Sequence, residues 1–392
     1  RAVDAAAAES SEEETAQCQG LAAYAITAQS FFFASLGQFD KQISCLERSR
    51  AAVHQYGTPY EIATHAHMYA STRDDVEESR SLLEQALAML REIGATWEAA
   101  YVINNMGHPA FARGETLEAK RYYEEALALF RASGEFQGTS DQLLDLGRVA
   151  YRLGNYDEGR RLLQESLAIQ HVIGSVSGLQ NRQRILGKIA YAQGQFAEAE
   201  ARFRQELTII HDLGYREPRS WCLSRLGAAV LAQERLGDAA GLLIQARTIA
   251  EDCSDPRGIS RAHNQLGYLA LKQGAPETAR QHWRTAIDKS RHVQDYPHLL
   301  VSLDPQLVVT LDALMGLATL MTQAGDVEQA VEMLTLVRGA ATIDRRTENT
   351  AEQLLAELEG RLSPDCFAPA QARGRVLELG TTVAAVLAEG GA

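Results

Sequence analysis

Apolar positions along this chain fall into paired runs of helical spacing, and the pairs recur every forty residues. In LGRVAYRLGNYDEGRRLLQESLAI, from Leu146 to Ile169, the first run carries Leu146 and Ala150 behind Leu143. The second run, after Gly154, carries Gly159, Leu163, Ser166 and Leu167. The line returns as LGKIAYAQGQFAEAEARFRQELTI from Leu186 to Ile209. Three glycine series share the period. They are Gly107, Gly147, Gly187, Gly227 and Gly267; Gly114, Gly154, Gly194 and Gly274, with Glu234 in the vacant place; and Gly94, Gly134, Gly174 and Gly214. A glycine between the two runs ends the first helix, because it accepts the left-handed conformation of such an end. The small residue five positions later (Ala119, Gly159, Ala199, Ala239, Ala279, Ala330) lets two helices approach closely. Each unit therefore predicts a helical hairpin whose apolar face needs neighbouring hairpins to cover it.

Leu146-Gly147, Ala150, Gly154, Gly159, Leu163 and Ser166, with their counterparts in the other units, resemble the tetratricopeptide repeat (TPR) family. The units depart from it in their forty-residue length, in having Arg131, His171 and His211 where a repeat normally closes on proline, and in degenerate outer units with Ser30 and His67 at the first glycine's place. The resemblance implies an all-α, TPR-like α-solenoid superhelix of about eight helical hairpins with helical caps at both ends. Residues 1–20 read as a capping helix or truncated repeat and 21–292 as the array. Residues 293–304 read as an irregular linker containing Tyr296-Pro297, 305–340 as the last hairpin, and 341–392 as a C-terminal helical cap of short helices. That tail, after AGDVEQAVEML, is similar to the C-termini of bacterial regulators of the STAND class, including MalT-like activators, whose ATPase module precedes a TPR array.

Charge and composition narrow the partners. A formal charge of −13 argues against nucleic acid and anionic lipid. No apolar run is expected to reach the 18 to 20 or so residues a membrane span needs. Five scattered cysteines, Cys18, Cys45, Cys222, Cys253 and Cys366, form no C-x-x-C pair; they read as small core residues in a reducing, cytoplasmic setting. Arg1 opens an Ala-rich, then acidic stretch without a signal-peptide core, and the chain reads as part of a longer one. The acidic runs Ser10–Glu14 and Asp74–Glu78 read as helix starts, where negative charge suits the dipole.

No catalytic motif emerges. Gly187-Lys188 is followed by Ile189 and lies inside a helix, so no phosphate-binding loop forms there. His65 and His67, two apart on a helix, diverge by about 200° and do not share a ligand sphere. No metal or cofactor is expected. What remains is a surface: in TPR arrays the first helix of each hairpin lines the inner, concave wall. Projected here, that wall receives Tyr101, Asn104, His108 and Phe111, then Asp141, Arg148 and Tyr151. Next come Asn181, Arg184, Lys188 and Tyr191, then Trp221, Ser224 and Arg225, then Arg261, Asn264 and Tyr268. Guanidinium, amide and aromatic groups together suit an extended peptide, an acidic or carboxylate-bearing one in particular. Arg202 and Arg204, on a second helix, fall away from that wall. Pro109 falls in a first helix, where it either eases curvature or frees the carbonyl of Asn105 toward the wall.

The expected function is a non-enzymatic sensor module that binds a protein, peptide or small-molecule trigger for the ATPase and effector domains upstream of it. The alternatives are a free-standing TPR scaffold or adaptor, or a peptide-pheromone receptor.

Overall fold

The computed structural model describes residues 2–35, 38–73, 75–176, 178–214, 217–291, 304–340, 343 and 345–388. Among these, eight hairpins follow in order: α1 (Ala2–Ser35) with α2 (Phe39–Tyr56), α3 (Pro59–Ala70) with α4 (Val76–Glu92), α5 (Thr96–Ala112) with α6 (Thr116–Ala132), and α7 (Phe136–Leu153) with α8 (Tyr156–Ile173). Then come α9 (Leu179–Ala192) with α10 (Phe196–Asp212), α11 (Glu217–Ala232) with α12 (Leu236–Asp252), α13 (Pro256–Lys272) with α14 (Pro276–Arg291), and α15 (Asp304–Ala324) with α16 (Val327–Arg338). Three helices close the chain: α17 (Arg345–Glu359), α18 (Pro364–Val376) and α19 (Leu379–Ala388). The fold is an all-α, TPR-like solenoid. It divides into two compact units, one of residues 1–110 with 117–142 and one of residues 111–116 with 143–392.

The leading glycine series is a packing seam. Gly107 meets the ring of Tyr123, Gly147 meets Leu163, Gly187 Phe203, Gly227 Leu243 and Gly267 Trp283. A Cβ at any of the five would come within 3.0 Å of its partner. Each partner is at most 2% exposed, so these five hairpins are each locked by one large side chain of the second helix pressed on bare backbone of the first. Trp283 is held twice, by Gly267 on α13 and by Gly316 on α15. The small residues of the second helices, Ala119, Ala199, Ala239, Ala279 and Ala330, are fully buried. The glycines of the two series that end helices are left-handed, as at Gly194 (φ +74°), and Glu234 adopts the same conformation (φ 61°) despite its Cβ.

In the first unit the core gathers Ala63, Leu83, Leu90, Ile103 and Phe130 from α3 to α6. In the second, one core surrounds Trp283 and runs through α15 and α16 into the cap at Leu355, Phe367 and Val383. Several expectations change here. Ser10–Glu14 lies inside α1, which runs unbroken across residue 20, whereas Asp75 does cap α4, accepting from the amides of Glu77 and Glu78. The linker expected at 293–304 lies outside the described residues except for Asp304, which opens α15. Leu307–Ala324 of α15 is long and apolar enough to cross a membrane; here it is largely buried among α13, α14 and α16, which explains its apolarity without a bilayer. Of the cysteines, Cys45 and Cys222 are core residues but Cys18 is exposed and Cys253 and Cys366 half-buried. Pro109 sits within a continuous α5, and Asn105 engages His67 through its side chain, Nδ2 to Nε2 2.5 Å.

Candidate ligand-binding face

The residues projected onto the wall divide between the two units. In the first unit, Tyr101 leans its ring into the core against Trp97 and Phe130, centroids 5.0 and 4.8 Å away. His108 Nδ1 is paired with the Tyr123 hydroxyl at 3.0 Å, and Asp141 accepts from Gln137 Nε2 at 2.9 Å. Asn104 keeps its buried Oδ1 without a donor. These groups serve mainly their own hairpin.

In the second unit, four projected residues are buried and present little to a ligand. Phe111 lies beneath two guanidiniums, Arg152 at 3.7 Å and Arg148 at 4.8 Å from its ring centre. Tyr151 is covered by Lys188, whose Nζ stands 4.6 Å over the ring. Ser224 turns back to the carbonyl of Ser220. Asn264 donates to Asp312 Oδ2 at 2.9 Å while its own carbonyl accepts from Trp283. The sequence projected these four onto an exposed wall, but the structure buries them, because spacing along a helix gives direction and not the size of what covers a position.

The others remain half-buried on the first-helix face: Arg148, Asn181, Arg184, Lys188, Tyr191, Trp221, Arg225, Arg261 and Tyr268. Arg148 is ion-paired with Asp145 (2.9 Å) and Arg225 with the buried Glu206 (2.6 Å). Trp221 donates from Nε1 to Asp255 at 2.6 Å, and Arg261 lies 4.8 Å over its indole. Burial, helped by Arg225 and Arg148 and opposed by Glu206, lowers the Arg184 pKa to about 10. At Arg261 burial acts first, with Arg225, Arg257 and Arg184 against Asp255, and the value falls to about 9. Both remain cations at neutral pH. The Cys222 thiol beside them is pushed up by burial, which makes it a poor nucleophile.

A second polar cluster was not foreseen. Asp312 on α15 accepts from Asn264, from Arg346 Nη2 at 3.3 Å, and through its backbone carbonyl from the Tyr268 hydroxyl at 2.8 Å. Arg346 also lies 5.7 Å over Tyr191. Two signals pointed there: an aspartate inside the apolar run of α15, and two arginines opening α17, where the helix dipole disfavours positive charge. Beside this segment Gly114, Thr116, Arg152, Leu153, Ile343, Arg345 and Glu348 line a recess of about 450 Å³. Arg202 and Arg204 pair instead with Glu198 and Glu200 of their own helix.

With this geometry in hand, the class of protein is plain. Tetratricopeptide-repeat models match residues 97–170, 139–209 and 260–285, so those segments carry tetratricopeptide repeats. No curated protein sequence matches it. A Rap protein complexed with competence and sporulation factor is similar in structure, at 12% identity and a TM-score of 0.55, over 90% of this chain and 99% of that one. The apo form of RapI is similar at 11% identity and a TM-score of 0.55, over 94% of this chain and 99% of that one. A signal-transduction ATPase with a tetratricopeptide-repeat sensor, from Pyrococcus horikoshii, reaches a TM-score of 0.47 at 13% identity, over 82% of this chain and 54% of that one. That last likeness is too loose to support the attached ATPase.

Proposed function

We propose that the chain is a non-enzymatic receptor which holds a peptide, or an extended segment of a protein, on the first-helix face of residues 143–291. The observation that carries this reading is the contrast between that face and its surroundings. The side chains of Arg184 and Asn181 make no hydrogen bond or ion pair with the described residues, while Trp221 and Tyr191 offer partly exposed ring surface beside them. Cations, amides and aromatics on one surface suit an extended ligand whose backbone and side chains both need partners. The solved Rap protein that holds competence and sporulation factor supports a binding role for this fold. The reading therefore follows the free-standing receptor or adaptor, and the ATPase-coupled sensor has no observation in its favour. Its setting is cytoplasmic, for which the five free thiols are the support.

Selection of a random hexapeptide library on the immobilised chain tests it. Peptides should be recovered that lose at least about tenfold in affinity on N181A/W221A and are unaffected by R202M/R204M. Recovery of none, or equal loss in both variants, would overturn the reading.

A further inference from the structure

Resting on the peptide-binding reading, we infer that the first turn of α17 is an autoinhibitory strap, held by Arg345 and Arg346 against the first-helix face at Tyr191 and displaced by a bound peptide. The residues that hold it all belong to the second unit. Arg345 lays its side-chain stem on the turn between α7 and α8, where a Cβ on Gly154 would stand 2.8 Å from its Cγ. The equivalent glycines Gly194 and Gly274 have nothing within 4 Å, so this contact is no general feature of the repeat. Arg346 reaches the face itself, 5.7 Å over the Tyr191 ring, and donates to Asp312 Oδ1 of α15 at 3.3 Å. Asp312 in turn accepts from Asn264 and Tyr268 of α13. One turn of the C-terminal cap therefore rests on a ring that a ligand would use.

The helix is fastened more firmly at its far end than at its start. Ala351, Leu355 and Leu358 are buried in the core that α15, α16 and α18 share. In the first turn only Thr347 is buried. The recess of about 450 Å³ opens against this turn, with Arg345 and Glu348 in its lining. Contacts that a void leaves unmade contribute no dispersion attraction. The Arg345 guanidinium pairs with Glu348 of its own helix at 2.7 Å and makes no other ion pair among the described residues. Both arginines also stand where the helix dipole disfavours positive charge. Such an end can lift while the rest of the cap stays folded.

A peptide that packs on Tyr191 meets Arg346 there, and the two exclude one another. The consequence is a lowered apparent affinity: a face open about a tenth of the time binds about tenfold more weakly than one always open.

The test locks and releases the strap in one molecule. A Cβ on Gly154 would lie 3.2 Å from the Cβ of Arg345, near the roughly 3.5–4.5 Å that a disulfide spans. Glu234 shows that the same place in another repeat accepts a side chain at positive φ. G154C/R345C is made with the exposed Cys18 replaced by serine, and the probe is a hexapeptide selected on the wild-type chain. Calorimetry should find the oxidised form at least about tenfold weaker than the same protein reduced. Oxidation should change nothing in G154C or R345C alone. R345A/R346A should bind the peptide at least about tenfold more tightly than wild type. If either double variant fails to fold, R346M alone should still bind more tightly, since Asp312 keeps the donor from Asn264. Equal binding by the oxidised and reduced forms, or no gain on removing Arg346, overturns the strap and leaves the peptide-binding reading standing. A selection that recovers no peptide defeats that broader reading and the strap's role with it.

Discussion

Arginines on the two helices of each hairpin in the second unit live in different chemistry. On the second helices they are surface ion-pairers. Arg204 reaches Glu200 at 2.7 Å, Arg202 reaches Glu198, Arg247 reaches Glu251, and Arg280 reaches Glu277, each within one turn of its own helix. Burial would raise the Glu200 carboxyl, but hydrogen bonds from Arg204, Arg235 and Gln233 outweigh it and hold it down to about 2. On the first helices, arginines are sunk among protein atoms, and Arg184, Arg219 and Arg261 make no ion pair among the described residues. One residue type thus serves two purposes: solvated pairing contributes little to stability but keeps a surface polar, while unpaired cations in a partly dry setting are costly and suit recognition. The hairpin separates the two because its seam of glycine and large side chain fixes which helix faces which way.

That seam is where the comparison breaks most completely. Trp283 is fully buried against Gly267 and Gly316. Trp283→Ala should lower stability by about 3–5 kcal/mol in urea denaturation; a loss under about 1 kcal/mol would show that the seam does not lock the hairpins. A smaller effect sharpens the contrast between faces. Glu206→Gln on the buried pair with Arg225 should cost about 3 kcal/mol, whereas Glu251→Gln, opposite the surface Arg247, should cost under about 0.5 kcal/mol. Equal costs would erase the distinction.

The smallest effect is a pH dependence in the first unit. His67 is lowered by burial to about 4, and Asn105 holds its ring. Its pKa is lower folded than unfolded, where it stands near 6.5. Its contribution is therefore complete above pH 6.5 and is lost as the pH falls through 4. Going from pH 7 to pH 5 should remove roughly 1–2 kcal/mol through this residue. Denaturant titrations of the wild type and His67→Gln at both pH values measure it; parallel losses in the two proteins would exclude His67 as the cause.

Much of the architecture was legible because periodicity is a local property. Hairpin count, helix ends and the close approach at Ala199 or Ala279 all follow from where glycine, alanine and leucine recur. The candidate site was legible in outline only. Helical spacing placed Arg184, Trp221 and Arg261 on one face, but it also placed Ser224 and Asn264 there, which neighbouring chain covers. Asp312 and Arg346 lie outside the regular repeats, so no period pointed to them.

The division has a physical basis. The sequence by itself determined the hairpin, because a forty-residue unit carries its own helix-ending glycines and its own glycine-to-large-residue seam. Those forces act within one or two turns or across one hairpin. Only the tertiary structure decided which cations would be paired between helices. Pairing depends on carboxylates delivered from other helices, such as Glu206 to Arg225 and Asp312 to Arg346, and on how much protein surrounds each charge. Arg184 and Arg204 are the same residue in the same repeat: Glu200, four residues before Arg204, is legible along the chain, whereas only the packing shows that Arg225, from another helix, takes the Glu206 that acts on Arg184.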